Sequence, residues 1–488
     1  MSRHMNKRKF LAGYVYEVEK DFDVDGVPAS WAAPTSDGKP AHRFWDDEDE
    51  KIELRFFDDQ KADGVKLFAP SHDGRFVAGS NGSSVGVIDL ETKEQCMQFN
   101  GLVSPCVKLM FSPALLESGG YILVIESCDR GRSESVVFFL ELDHNGHITQ
   151  KLDVIDVKEL LQKSLDPVAA ELNNSFGASS TSSLLESVRE GYSDVLKKLR
   201  AGIESRDLSY IKGRTSGFNS SPFSMDGRLF LYTIQNESTR SGPRPAADLP
   251  KIIVYDMVNK CQKYVLSGHE DAIMWTAFSP DSQYIATAAW DGTFRIFDVS
   301  TGECKHVIGP TGGQCWSGAW SPDAKHILLC GMANEGSDSE TIVAVYSAET
   351  AQLVNQFKPE QRIKDWVRRV EWSPVGEVAI VSESNQMWIW EPCKDNRTVS
   401  SFSLKVEDWL METFAAVSDV QWGNEGEILI VSTGHGTIEI WNRTKNVKWR
   451  LQRPGGFGTE RDIDVVRWVE QNTLRCFSRD GFMRSYRI

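Results

Sequence analysis

The chain has 488 residues, of which 41% are hydrophobic and 25% charged, with a formal net charge of −15 at pH 7. That is enough apolar material for a real core, and the acidic balance argues against a surface that tracks phosphate backbone throughout. Nine Cys occur with no C-x-x-C and no metal-type spacing to His, which reads as reduced thiols in an intracellular protein.

In chain order, residues 1–50 read as an N-terminal arm with a strand signal in "YVYEVE" and then a polar Pro/Gly-containing stretch. The basic start has no apolar run behind it, so no signal peptide is expected. No apolar run of about 20 residues exists for a membrane span. "WDDEDEKIE" from Trp45 is either a solvated run that keeps an edge soluble or a docking strip for a basic partner. "KIELRFF", 51–57, is a strand.

A repeat then sets in. "VKLFAPSHDGRFVAGSNGSSVGVIDL" from Val65 and "VKLMFSP" from Val107 are its first copies. An insertion of helical character follows over 144–216. Val157, Leu160, Leu161, Leu165, Val168 and Leu172 stand at helical spacing, as do Leu185, Val188, Tyr192, Val195, Leu196 and Leu199. Ser183 and Glu186 make a capping box for the second helix. Such a pair either packs on the rim or docks a partner.

Further copies begin at Ser221, Trp275, Ser317, Arg369 and Asp419, with a truncated copy at the C-terminus. Each has an aromatic closing a short strand, a turn usually built on Ser-Pro, two more apolar strands and a lead-in to the next copy. Uninterrupted spacing is about 40–50 residues, the range of four-stranded propeller blades.

On these residues the chain resembles the WD-repeat (WD40) family. The best unit runs from Leu266 to Val299, with Gly268-His269, Phe278-Ser279-Pro280-Asp281, the Asp291-Gly292 hairpin turn and the closing pair Phe297-Asp298. The other closing pairs are degenerate: Ile88-Asp89, Tyr255-Asp256, Tyr346-Ser347, Trp390-Glu391 and Trp441-Asn442. The resemblance implies an all-β fold: a single WD40-type β-propeller of about eight, alternatively seven, four-stranded blades with a helical insertion. It would occupy 51–488 and close by pairing strand 51–57 with C-terminal strands in 462–488. It also implies a structural hydrogen-bond network of His269, Thr287 and Asp291, in which Phe297 cannot supply an indole N–H. Trp290-Asp291 stands one turn before the signature position, so Trp290 has no repeat-building role.

No G-x-S-x-G, H-E-x-x-H or G-x-x-x-x-G-K-[S/T] motif occurs, and no catalytic, cofactor or metal residue is assigned. "GPTGGQ" from Gly309 links two units and opens no helix, which makes it a poor phosphate loop. The expected function is a non-catalytic scaffold or adaptor in a larger complex, with proteins or peptides as partners. Neither nucleic acid, membrane nor a small-molecule substrate is expected, and placement is cytoplasmic or nuclear. The alternatives are a hydrolase or metal-dependent enzyme using a central channel, and a nucleic-acid binder resting on the Arg and Lys after Arg443. Family partners commonly meet one face, and the resemblance places Met274, Trp316, Arg368 and Asp464 there before inner strands. Trp290 and Arg479 precede later turns, and Trp366 shares the rim. Trp, Met and Arg are enriched at interface cores.

Overall fold

The computed structural model describes residues 22–24, 27–28, 42–44, 48–57, 65–100, 102, 104–128, 135–149, 209–217, 220–234, 245–333, 340–359, 363, 366–382, 386–394, 396–404, 417–433, 438–442, 447–452, 463–469, 473–478 and 481–487. Among them the chain is all-β, with helix limited to the short 3-10 turns Ala246–Asp248 and Asn424–Gly426. The helices expected at 157–172 and 185–199 lie outside the described residues. The strands form eight separate sheets. The chain divides into two compact units, Leu54–Gly213 and the remainder.

The unit Leu54–Gly213 holds two four-stranded antiparallel sheets. The first is Leu67–Pro70, Phe76–Ser80, Val85–Asp89 and Gln95–Phe99, and the second is Cys106–Phe111, Tyr121–Cys128, Ser135–Leu142 and Ser209–Lys212. Ser209–Lys212 lies inside the stretch expected to be a helical insertion. It is an ordinary fourth strand, in register with Val136 to Phe139. Fusing these sheets are alternate apolar side chains, with Phe76 edge-on to Tyr121 at 4.9 Å and both in one buried cluster.

The other unit carries six sheets. The third sheet has only Leu229–Ile234, Lys251–Asp256 and Cys261–Leu266, with isolated bridges where a first strand would lie. The fourth is Ile273–Phe278, Tyr284–Ala289, Phe294–Asp298 and Cys304–Ile308. The fifth is Cys315–Trp320, His326–Met332, Thr341–Ser347 and Leu353–Gln356. Val367–Trp372, Val378–Ser382, Gln386–Glu391 and Arg397–Leu404 form the sixth, extended at its outer edge by Phe22–Val24 and Val27–Pro28. Val417–Gly423, Ile428–Thr433, Ile438–Asn442 and Val447–Gln452 form the seventh, with His42–Phe44 as a fifth strand. In the eighth, Ile463–Val469, Thr473–Ser478 and Phe482–Arg487 take their fourth strand from Glu50–Glu53, which pairs antiparallel with Phe482–Arg487. The N-terminal partner of the C-terminal strands is therefore 50–53, and 54–57 is outside any strand and belongs to the other unit.

One turn, written in short-range hydrogen bonds, explains why the Ser-Pro-type signal recurs. Ser279 Oγ donates to Asp281 at 2.6 Å and accepts from Tyr284 N–H at 2.9 Å. Ser71, Ser224 and Ser321 repeat the pair of bonds with Asp73, Asp226 and Asp323. The closing-pair aspartate has a similar job. Asp298 accepts the N–H groups of Ser300 and Thr301, as Asp89 accepts those of Glu91 and Thr92 and Asp256 those of Val258 and Asn259. A side-chain carboxylate satisfying turn donors two and three residues on is local chemistry, so it is legible in sequence.

In the fifth, sixth and seventh sheets the tryptophan that closes the first strand ties its sheet to the one before. Trp320 Nε1–H donates to Ala277 O, Trp372 Nε1–H to Ala319 O and Trp422 Nε1–H to Glu371 O, at 3.1 to 3.3 Å. Each indole thus spends its one donor on the preceding sheet while its rings fill the gap between sheets.

Candidate functional site

The candidate surface is built by a backbone irregularity that repeats. In the fourth sheet Ile273 pairs with Ala289 and Trp275 with Ala288, leaving Met274 as an extra residue. The same shift isolates Trp316 in the fifth sheet, Arg368 in the sixth and Asp464 in the eighth. These are the four residues expected before inner strands. A bulge re-aims its side chain and ends regular pairing, and such bulges concentrate beside functional surfaces. Ser418 holds the equivalent position in the seventh sheet and was not foreseen. Its signal was available, since every one of these residues precedes its closing aromatic by four: Phe278, Trp320, Trp372, Trp422 and Trp468.

Met274 and Trp366 are half-buried and pack against one apolar cluster that contains Trp316. Trp316 itself corrects the expectation of an accessible residue. It is fully buried, its indole N–H donates to Val367 O at 3.1 Å, and Trp366 stacks over it at 5.4 Å with a 14° tilt. The bulge turns this large side chain between the fifth and sixth sheets, and Trp366 takes the outer position. Trp290 follows Ala289, so it shares the strand end of Met274; it is half-buried and its N–H donates to Ala272 O at 2.9 Å. Its indole N–H is shielded from solvent and meets no acceptor among the described residues. The side chains of Arg368 and Asp464, and Arg479 altogether, lie outside the described residues.

Behind this end of the fourth sheet sits the His269 network. His269 Nδ1 stands 2.8 Å from Asp291 Oδ2 and Nε2 stands 2.7 Å from Thr287 Oγ1. A carboxylate only accepts, so Nδ1 carries the hydrogen. Asp291 also accepts from Glu270 N–H and from the Thr293 N–H and hydroxyl. Gly268 has φ +120°, and a Cβ there would lie 2.6 Å from the Arg295 guanidinium that donates to Gly268 O. The 309–314 loop braces the turn, since Thr311 N–H donates to Gly292 O, and a Cβ on Gly292 would meet Gly313 O at 2.8 Å. That loop's backbone is spent on the neighbouring turn.

Burial pushes the Asp291 carboxyl up, but the hydrogen bond and charge of His269, with the donors Thr293 and Glu270, outweigh it and hold the group at about 2. A depressed folded-state value stabilises the fold above the unfolded value near 3.8 and is lost as pH falls through about 2. Urea midpoints are therefore expected to fall between pH 4 and 2, and Asp291→Asn is expected to flatten that fall by about 1 to 2 kcal/mol. An unchanged slope in the variant would remove this assignment.

Burial pushes the Cys315 and Cys330 thiols up to about 12, so both pack as neutral side chains. Among the described residues no three His, Cys, Asp or Glu stand close enough to hold a metal ion. No helix among them is long and apolar enough to cross a membrane.

The WD domain, G-beta repeat family matches residues 260–298, which hold the His269 network and the Asp298 turn. Human Ribosome biogenesis protein BOP1 is 29% identical over 107 residues, 21% of this chain and 14% of that protein. The Drosophila melanogaster Protein SEC13 homolog is 24% identical over 212 residues, 38% of this chain and 56% of that protein. The Arabidopsis thaliana WD repeat-containing protein 26 homolog is 22% identical over 181 residues, covering 37% and 27%. The chain thus spans between about a seventh and just over half of these relatives' lengths. Among solved structures, the computationally designed Ika8 protein matches with TM-score 0.52 at 12% identity, covering 90% of this chain and 99% of that one. Saccharomyces cerevisiae Sqt1 matches with TM-score 0.54 at 11% identity and the same coverage, a likeness of fold alone. With the turn aspartates, the latching tryptophans and the His269 network, these matches make the chain a divergent member of the WD-repeat family.

Proposed function

We propose that the protein is a non-catalytic WD-repeat scaffold, a propeller of eight blades that binds other proteins or peptides through the strand ends carrying the bulges. The observation behind this reading is the bulge repeated at one position of successive first strands, which sets Met274 and Arg368 at the same backbone position of their sheets. Met274, Trp290 and Trp366 form the apolar centre, with Trp316 a floor beneath Trp366, and the repeat positions of Arg368, Asp464 and Arg479 in the sequence add charged residues to the proposed surface. Aromatic and Arg anchors of this kind carry most of the energy in protein interfaces. Nine cysteines without a disulfide fit a cytoplasmic or nuclear setting.

The double substitution Met274→Ala, Trp290→Ala is expected to lower recovery of co-purifying proteins by about tenfold or more. Quantitative mass spectrometry against Val375→Ala, an exposed residue in the turn beyond Trp372, supplies the control. Equal recovery from the two variants would sink the proposal.

A further inference from the structure

The outer edges of the sheets in the larger unit are treated unequally. In the sixth sheet Phe22–Val24 adds to Arg397–Leu404 through Phe22 with Leu404 and Asp23 with Ser403. In the seventh, His42–Phe44 adds in parallel to Val447–Gln452. A fourth strand of this fold is thus a surface on which a short extended segment seats. Among the described residues, nothing pairs with the outer edges of Cys261–Leu266, Cys304–Ile308 and Leu353–Gln356.

An open edge invites strand addition, and lysine is the common device that blocks it. Lys263 and Lys305 stand exposed on the first two of these edges. Leu353–Gln356 has no lysine and instead exposes Leu353 at 55% and Val354 at 37%. It is also tied to the neighbouring sheet, where the Asn355 side-chain amide donates to Pro392 O at 2.6 Å. Val354 is bulged; Arg397–Leu404 is bulged at the matching Val399 and receives its added strand further along, at Ser403 and Leu404. Exposed Lys358 stands just beyond the strand.

We infer that the outer edge of Leu353–Gln356 binds an extended segment of a partner protein by strand addition. The segment carries β-branched residues at alternate positions, over Leu353 and Val354, and an acidic residue at the end meeting Lys358. Backbone hydrogen bonds supply the affinity and the alternate side chains the selectivity. A second copy of this chain fits less well, since it brings Lys358 rather than an acid and a net charge of −15 on each partner.

The test is fluorescence anisotropy of a labelled, capped Val-Thr-Val-Thr-Val-Glu peptide titrated with the full chain. Saturable binding is expected, weakened about tenfold or more by Leu353→Lys. Binding should be unmoved by Val307→Lys, an exposed position on the neighbouring edge. Replacing the peptide's Glu by Lys should also weaken it, and amide exchange should slow across Leu353–Gln356. Absence of saturable binding, or equal binding by Leu353→Lys, overturns the inference. Self-association abolished by Leu353→Lys also overturns it, by assigning the edge to a second copy.

Discussion

Replacing Trp316 with alanine is expected to destabilise the fold by about 3 to 5 kcal/mol, the cost of emptying a fully buried aromatic site. Trp316 packs among Leu328, Cys330, Val343 and Val345 of its own sheet and Val367 and Val370 of the next. Truncation opens a cavity between two sheets, leaves Val367 O without its donor and removes the ring on which Trp366 stacks. Trp316→Phe keeps most of the volume and should cost about 1 to 2 kcal/mol, chiefly the lost N–H bond and the missing ring area. Equilibrium urea unfolding followed by tryptophan fluorescence and by circular dichroism separates the variants. An alanine variant as stable as the parent would return Trp316 to the accessible surface.

The second large effect lies at Asp291. Asp291→Ala is expected to cost about 3 kcal/mol, because removing one partner of a buried charge-assisted pair strands the other. His269 is 1% exposed and would be left with only the Thr293 hydroxyl, 3.3 Å from its Nδ1, alongside the unmatched Glu270 and Thr293 N–H donors. His269→Ala should cost less, about 2 kcal/mol, since it leaves Asp291 with its remaining donors and nearer to solvent. The double variant should be less destabilised than the sum of the singles, because the two act as one unit. Additive costs in that cycle would show that the two side chains stabilise the sheet independently. Hydrogen exchange of the Phe294–Asp298 amides gives a local reading of the same loss.

The two predictions also mark how far the residues alone could be read. The Asp291 network was visible because the pattern is compact: Gly268-His269, Thr287 and Asp291-Gly292 all belong to one sheet unit. The Ser-x-Asp turn and the Asp298 cap are more local still, each closing within a few residues, so their chemistry survives without tertiary knowledge. The burial of Trp316 is not legible in the sequence, because strand alternation alone cannot register an extra residue. The bulge between Cys315 and Ser317 shifts the pairing by one, and which gap the indole then fills depends on the sixth sheet, some fifty residues away. The four-residue offset to the closing aromatic would have added Ser418, but its meaning emerges only once several sheets share the bulge.

The edges show the same division. A segment as short as His42–Phe44 carries no usable period, and its partner Val447–Gln452 lies about four hundred residues on, so nothing local specifies the pairing. Ser209–Lys212 reads as part of a helical insertion for the same reason, its four residues being strand only because Val136 to Phe139 are there to pair with them.

By itself, the order of residues determined the repeat, its turns, its closing pairs and the His269 network, since each rests on hydrogen bonds between near neighbours or on pairing within one sheet. Tertiary structure decided which aromatics face outward, which edges are covered and where the bulges stand in line. Those outcomes depend on packing between sheets and on pairing across hundreds of residues, where competing partners are compared by total burial and register rather than by local preference.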